Sequence, residues 1–158
     1  MAIARYLADK SALARWHHPP VRTVLAPLVE HGLIATCGIT ELVVLFSARG
    51  QPDCDQVAAD RRRAYEWLPT EDGDLRRALS VQAELTARGQ PSAVSLADLI
   101  IAAVAERHRV CVLHYDPDYE RVAAITGQPT RWVVPDGSLP DEPARTPHDR
   151  RDLTGGAT

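Results

Sequence analysis

Apolar positions in this chain come as short runs of branched aliphatics that alternate with longer stretches at helical spacing. Residues 3–8 form a compact apolar segment ending at Asp9 and read as a first strand. Residues 11–16 open a short helix, which His17-His18-Pro19-Pro20 interrupts. Val21, Val24, Leu25 and Leu28 recur at helical spacing as far as Glu30, and His31-Gly32 stops that helix. Residues 33–36 predict a second strand, and Gly38 or Thr40 then starts a strongly apolar helix headed by Glu41. Beyond a loop at 49–52 come a polar surface helix at 53–66 and a short edge strand at 67–69. The amphipathic helix expected at 74–88 has Leu75, Leu79, Val81 and Leu85 as its inner positions.

The stretch 95–119 organises the rest. Ser95 and Asp98 have the S-x-x-D spacing that opens a helix, and Leu99, Ile100, Ala102, Ala103 and Val104 follow at once. Arg107-His108-Arg109 suits a C-terminal end. Residues 110–113 read as a buried strand, which Asp116-Pro117-Asp118 breaks. A helix of this length descends roughly 20 Å at about 1.5 Å per residue. The returning strand climbs on the order of 15 Å at about 3.3 Å per residue. Asp98 and Asp116 are therefore expected at the same edge. A short helix at 119–125, a turn at 127–129 and a last strand at 132–134 complete the pattern.

Strands alternating with helices imply an α/β fold with a largely parallel sheet, which binds ligands beyond the carboxyl ends of its strands. Asp9 follows the first strand, Glu41 opens the helix after the second, and Asp98 and Asp116 flank the 110–113 strand. Carboxylates gathered in a cleft repel one another unless a cation or protons offset the charge. A hard divalent ion with oxygen ligands, Mg²⁺ or Mn²⁺, answers that need and suits phosphodiester hydrolysis. Glu41 heads an otherwise apolar helix and is hard to read as local structure, but the other acids also have a local reading. Asp98 can be the third residue of a capping box, Asp116 and Asp118 can be turn formers around a proline, and Asp9 can simply end a strand.

Composition narrows the alternatives. The 158 residues fit one domain with a real core, and few aromatics contribute to it. A net charge of −3 does not advertise a nucleic-acid binder, although Arg61-Arg62-Arg63, Arg76-Arg77 and Arg107-His108-Arg109 form local basic clusters. Cys37, Cys54 and Cys111 are widely spaced without a C-x-x-C pair, which speaks against a disulfide framework or structural zinc. No apolar run approaches a membrane span, and the N-terminus lacks a signal-like region, so a cytoplasmic protein with no membrane association is expected. From 135 to 158 prolines alternate with charged and small residues, and this tail is expected to be disordered or ordered on a partner. Phosphate-loop, nucleophile-elbow and zinc-helix patterns are absent. A receiver-like phosphoacceptor domain needs an acidic pair after the first strand and a late lysine, and neither is evident.

Four segments in order, YLADKSAL at 6–13, ITEL at 39–42, SLADLIIAAVA at 95–105 and VLHYDPDYERVA at 112–123, resemble the PIN domain. More narrowly they resemble the VapC toxins of bacterial toxin–antitoxin pairs. The resemblance covers about residues 3–134 and implies a single three-layer α/β/α domain over 1–134. It implies a Mg²⁺- or Mn²⁺-dependent endoribonuclease acting on RNA, homodimeric and held inactive by a VapB-type antitoxin. The family's acids match Asp9, Glu41, Asp98 and Asp116, with Asp118 a less constant fifth. Asp9 and Asp98 are then the main direct metal ligands, Asp116 and Glu41 complete the shell directly or through water, and Asp118 supports it. Ser11 matches a hydroxyl often kept beside the first acid. Lys10 and His114 stand where Thr, or Thr and Ser, are common, and Tyr119 replaces a commoner Phe and is expected in the core. His114 is a candidate partner for a carboxylate rather than a metal ligand. A catalytically silent PIN-like module that binds RNA or protein is the alternative, against which the intact acids argue.

Overall fold

A computed structural model describes residues 2–48 and 50–140. Five short strands, β1 (Tyr6–Ala8), β2 (Ile34–Cys37), β3 (Glu66–Leu68), β4 (Cys111–His114) and β5 (Thr130–Trp132), form one sheet in the order β3-β2-β1-β4-β5. Every pairing is parallel. Among the described residues seven helices connect and cover the strands: α1 (Lys10–Leu13), α2 (Pro19–Glu30), α3 (Gly38–Leu45), α4 (Gln51–Ala64), α5 (Asp72–Ala87), α6 (Leu96–His108) and α7 (Asp118–Thr126).

Strand alternation divides the core in two. Leu7, Ala35, Cys37 and Val112 point to one face, where they pack with α5, α6 and α7 through Val81, Leu85, Leu99, Val104 and Val122. Ala8, Ile34 and Leu113 point to the other, where they meet Ala12 of α1 and Val21 and Leu25 of α2. Both faces are buried, as a parallel sheet requires, and the expected α/β/α layering follows. The chain leaves β1 toward β2 on one side and places β4 on the other. The strand order thus switches direction between β1 and β4, which opens a crevice at their carboxyl ends.

Several expectations need correction. The first helix ends at Leu13, ahead of the His17-His18-Pro19-Pro20 break, and Pro19 and Pro20 themselves occupy the first turn of α2, where a missing N–H costs nothing. Ile3 lies outside β1 and is exposed, while the Ile3 and Ala4 amides donate to the Glu66 carboxylate. The last strand begins earlier than expected, at Thr130, and Val133 and Val134 pack beyond its end in the second core cluster. Leu139 is still held there, its amide donating to the Tyr115 hydroxyl at 3.3 Å. The rest of the expected tail, from 141, lies outside the described residues.

The larger error concerns α5. Leu75 and Leu79 are exposed, and the inner stripe is Asp74, Ala78, Val81 and Leu85. The reason is polar. Asp74 is only 2% exposed and receives Arg107 Nε at 2.8 Å and Arg107 Nη2 at 3.0 Å. It also accepts the Glu71 amide at 2.8 Å as half of a capping box. This buried ion pair sets the rotation of the helix and leaves Leu75 and Leu79 on the neighbouring stripe.

Burial pushes the Asp74 carboxyl up, but the Arg107 and Glu71 hydrogen bonds and the charges of Arg107 and His108 outweigh it and hold it below its usual range. Asp74→Ala is expected to cost about 2–3 kcal/mol at neutral pH, seen as a lower urea midpoint with an unchanged slope. A depressed carboxylate stabilises above its unfolded pKa and loses that contribution as pH falls through its folded value. The gap between wild type and variant must therefore close in acid, and a gap that widens there would contradict the pairing.

Candidate active site

The crevice at the sheet's switch point is lined by Asp9, Lys10, Ser11, Ala14, Arg15, Val43, Asp98 and Asp116, around a volume of about 270 Å³. Asp9 leaves β1 in extended conformation and caps α1, its Oδ2 accepting the Ser11 amide at 2.8 Å. It is 5% exposed, and its own amide donates to the Leu113 carbonyl of β4. Ser11 in turn accepts the Tyr115 amide on Oγ at 2.9 Å, which binds the segment after β4 to the start of α1. The hydroxyl expected beside the first acid thus fastens two site segments together.

Asp98 reaches the same rim from the first turn of α6, whose cap is Ser95 as its spacing predicts; Ser95 Oγ accepts the Asp98 amide at 3.1 Å. After β4 the chain turns at Asp116, whose Oδ1 accepts the Asp118 amide at 2.9 Å and so starts α7. One carboxylate oxygen from each of Asp98, Asp116 and Asp118 lies within 4.8 Å of the others. Asp118 is also paired with Arg121 Nη1 at 2.5 Å. The local capping and turn-forming roles are therefore real. They are also what aims these carboxylates at one point.

Electrostatics reflects this crowding. Burial first, then the charges of Asp9 and Asp116, push the Asp98 carboxyl up to about 6, against the opposing hydrogen bonds of Ser95 and Tyr119. Asp118 is raised by burial and by Asp116, with Arg121 only partly offsetting them. Beneath the acids, the buried Tyr119 hydroxyl sits 2.9 Å from Asp9 Oδ1 and 3.0 Å from Asp98 Oδ1. Burial and these two carboxylates raise its own pKa well above the usual phenol value, so it remains a donor.

His114 is fully buried at the end of β4, and its Nδ1 accepts the Asp116 amide at 3.1 Å. That bond leaves the neutral ring's proton on Nε2, 3.3 Å from Glu120 Oε1 in a geometry too poor for a hydrogen bond. Burial lowers the His114 pKa despite Glu120, so the ring is an uncharged support for the Asp116 turn.

Glu41 is placed differently. Arg61 of α4 grips its carboxylate with Nε at 3.0 and 2.8 Å and Nη2 at 2.7 Å, while the Thr36 hydroxyl donates to Oε1. Arg61 also stacks on Tyr65 and is the one buried residue of α4. Glu41 thus already has a cationic partner, and the group of three closely spaced carboxylates does not include it.

An all-carboxylate donor set whose mutual repulsion Arg121 relieves only in part fits a hard divalent cation of the Mg²⁺ or Mn²⁺ kind. Asp98, Asp116 and Asp118 offer the converging oxygens, and Asp9 stands beside them in the same cleft.

Comparison with known proteins agrees with this geometry. A family model described as PIN domain matches residues 6–125. The chain belongs to the PIN domain family. Among PIN-domain relatives, Ribonuclease VapC21 of Mycobacterium tuberculosis is 51% identical over 134 residues, covering 85% of this chain and 97% of that protein. Ribonuclease VapC51 of the same organism is 39% identical over 135 residues, covering 85% and 97% respectively. Among solved structures, VapBC-1 from nontypeable Haemophilus influenzae aligns with a TM-score of 0.66 at 15% identity, covering 81% of this chain and 97% of that one. DNA-bound VapBC from Salmonella typhimurium aligns at 0.64 with 16% identity, covering 82% and 98%. The PIN fold read from four short segments is confirmed.

Two residues at this PIN site escaped sequence reasoning in part. Tyr119 is in the core as expected, but its hydroxyl touches the acids, which only its departure from Phe hinted at. Arg61 lay in a run of three arginines that reads as a solvated face, and no local signal singled it out.

Because the Asp98 pKa is raised above its ordinary unfolded value, ionising it costs folding stability, fully so above about pH 6 and not at all below about pH 4. Asp98→Asn is therefore expected to stabilise the metal-free protein by on the order of 1–3 kcal/mol at pH 7.5, with the gain shrinking toward pH 4.5 in urea unfolding. A variant less stable than wild type at pH 7.5 would mean that the acids do not crowd one another.

Proposed function

We propose that the chain is a divalent-metal-dependent endoribonuclease that hydrolyses RNA phosphodiesters, and the toxin of a type II toxin–antitoxin pair neutralised by a VapB-type antitoxin. The observation that carries the reading is the acid cleft at the switch point, where Asp98, Asp116 and Asp118 converge beside Asp9 and, among the described residues, only Asp118 is paired with a cationic side chain, Arg121. The relatives named ribonucleases, and the similarly folded toxin-antitoxin complex from Klebsiella pneumoniae, support the substrate class and the partner. A homodimer, and a nuclease domain over 1–134 followed by a proline-rich tail over 135–158 whose Leu139 still packs on the domain, belong to the same proposal.

In this reading Asp9, Asp98 and Asp116, with Asp118 alongside, hold Mg²⁺ or Mn²⁺. The bound cation supplies Lewis-acid activation of water and neutralises charge developing on the scissile phosphate. The protein's own part is positional. Ser11 and Tyr119 fix the two oxygens of Asp9, and Ser95 fixes the start of α6. Lys10 and Arg15 line the same cleft and supply positive charge to the phosphate backbone. Lys10 Nζ is aimed by a 2.5 Å hydrogen bond to Ser47 Oγ. Single-stranded RNA suits an open cleft of this kind, since its bases can splay away from the backbone. No helix among the described residues is long and apolar enough to cross a membrane.

Purified protein is expected to cleave single-stranded RNA with Mn²⁺ or Mg²⁺ and to stop with EDTA. Removing a mere supporting partner of a metal ligand costs about 10–100-fold, so Asp9→Asn and Asp98→Asn must each exceed about a hundredfold loss in a gel-based cleavage assay. Cleavage that survives both EDTA and these substitutions would overturn the reading, whereas RNA binding without cleavage by wild type would favour the catalytically silent module.

A further inference from the structure

Tyr119 has no exposed surface, yet its hydroxyl is spent on the site rather than on the core. Its single O–H proton is shared between two acceptors, Asp9 Oδ1 at the end of β1 and Asp98 Oδ1 in the first turn of α6. A position that needed only bulk would be served by Phe, without the cost of burying a hydroxyl. The ring is held against His114, with centroids 5.1 Å apart. Tyr119 directly follows Asp118, whose amide donates to Asp116 Oδ1 in the same turn. One short segment thus presents two acids to the cleft and fastens the other two from below.

We propose that Tyr119 is a positioning residue whose hydroxyl tethers Asp9 and Asp98 at a fixed separation and so sets the affinity and ion-size preference of the cation site. This rests on the reading of the acids as a divalent-cation site. Two like charges on separate elements drift apart when nothing ties them, and a ligand must then restore the arrangement at the expense of its binding. A shared donor does that ordering during folding. Small cations gain most from it, because Mg²⁺ and Mn²⁺ need near-octahedral ligands whereas Ca²⁺ accepts longer and looser contacts.

The test is calorimetric titration of the full chain with Mn²⁺ and with Ca²⁺, without RNA, for wild type, Tyr119→Phe and Asp98→Asn. Tyr119→Phe is expected to weaken Mn²⁺ binding by about 10–100-fold and Ca²⁺ binding less, so that the preference for Mn²⁺ falls. A purely structural role would lower the melting temperature and leave that preference unchanged. Para-aminophenylalanine at position 119 offers two N–H donors in place of one O–H and is expected to restore Mn²⁺ binding; it also serves if the Phe variant folds poorly. Wild-type Mn²⁺ affinity in folded Tyr119→Phe, or no recovery with the amine, overturns the tether. Asp98→Asn separates the two claims: if it loses Mn²⁺ while Tyr119→Phe does not, the cation site stands and the tether falls. A wild type that binds no Mn²⁺ defeats both.

Discussion

Carboxylates crowded at the carboxyl end of a parallel sheet are the constraint to which the rest of this structure answers. Left alone they would spread or take up protons, and a soft surface would let them. Here each is bound to a backbone element that cannot move without breaking something larger. Asp9 is the cap of α1, Asp98 lies in the capped first turn of α6, and Asp116 starts α7. The capping bonds that make these acids look like ordinary helix starts are also what prevents them from separating. Local structural chemistry and the crowding of charge are therefore one arrangement, and its cost appears in the raised pKa of Asp98.

Glu41 shows the other way to keep a shielded carboxylate. Its charge is matched inside the protein by a bidentate Arg61 and by Thr36, which fixes the carboxylate and removes its demand for an outside cation. The contrast divides the acids by what neutralises them. Glu41 has its cation built in on α4, whereas Asp98 has a phenol and a serine, neither of which carries positive charge. A group whose charge the fold declines to offset is the better candidate for an ion from solution. In this chain Glu41 therefore ties α3 to α4, and its family match alone does not make it a ligand.

What could be read from residues and what could not follow from range. Strand and helix order, the capped start of α6 and the meeting of Asp98 with Asp116 depend on neighbours in sequence and on element lengths, and each was legible. The α5 phase was not, because two leucines outweigh an aspartate in any hydrophobic pattern. Only the distant Arg107 makes Asp74 an inward residue. Arg61 was hidden for the same reason, since its partner Glu41 is twenty residues away. Tyr119 lies between these cases. Its burial followed from the family resemblance, where a Phe is common at this position, but the hydroxyl's partners come from β1 and α6 and exist only once the sheet has closed.

Those distant pairs bear on the site more directly than their positions suggest. The C-terminal half of α6 is clamped to α5 by Arg77 to Glu106, at 2.7 Å, and by Arg107 to Asp74, at 2.8 Å. Its N-terminal turn is held by Ser95 and by the Tyr119 hydroxyl. Between them the apolar residues Leu99, Ile101, Ala102 and Val104 pack into the larger core cluster. A helix fixed at both ends and along its length cannot slide or rotate to relieve strain at one carboxylate. Exposed ion pairs contribute little by themselves, but Asp74 is buried, and breaking its pair would free the end of α6 remote from the cleft. The position of Asp98 at the rim is in this sense set from the far side of the molecule, and the buried aspartate that misled the hydrophobic pattern helps hold the one the site requires.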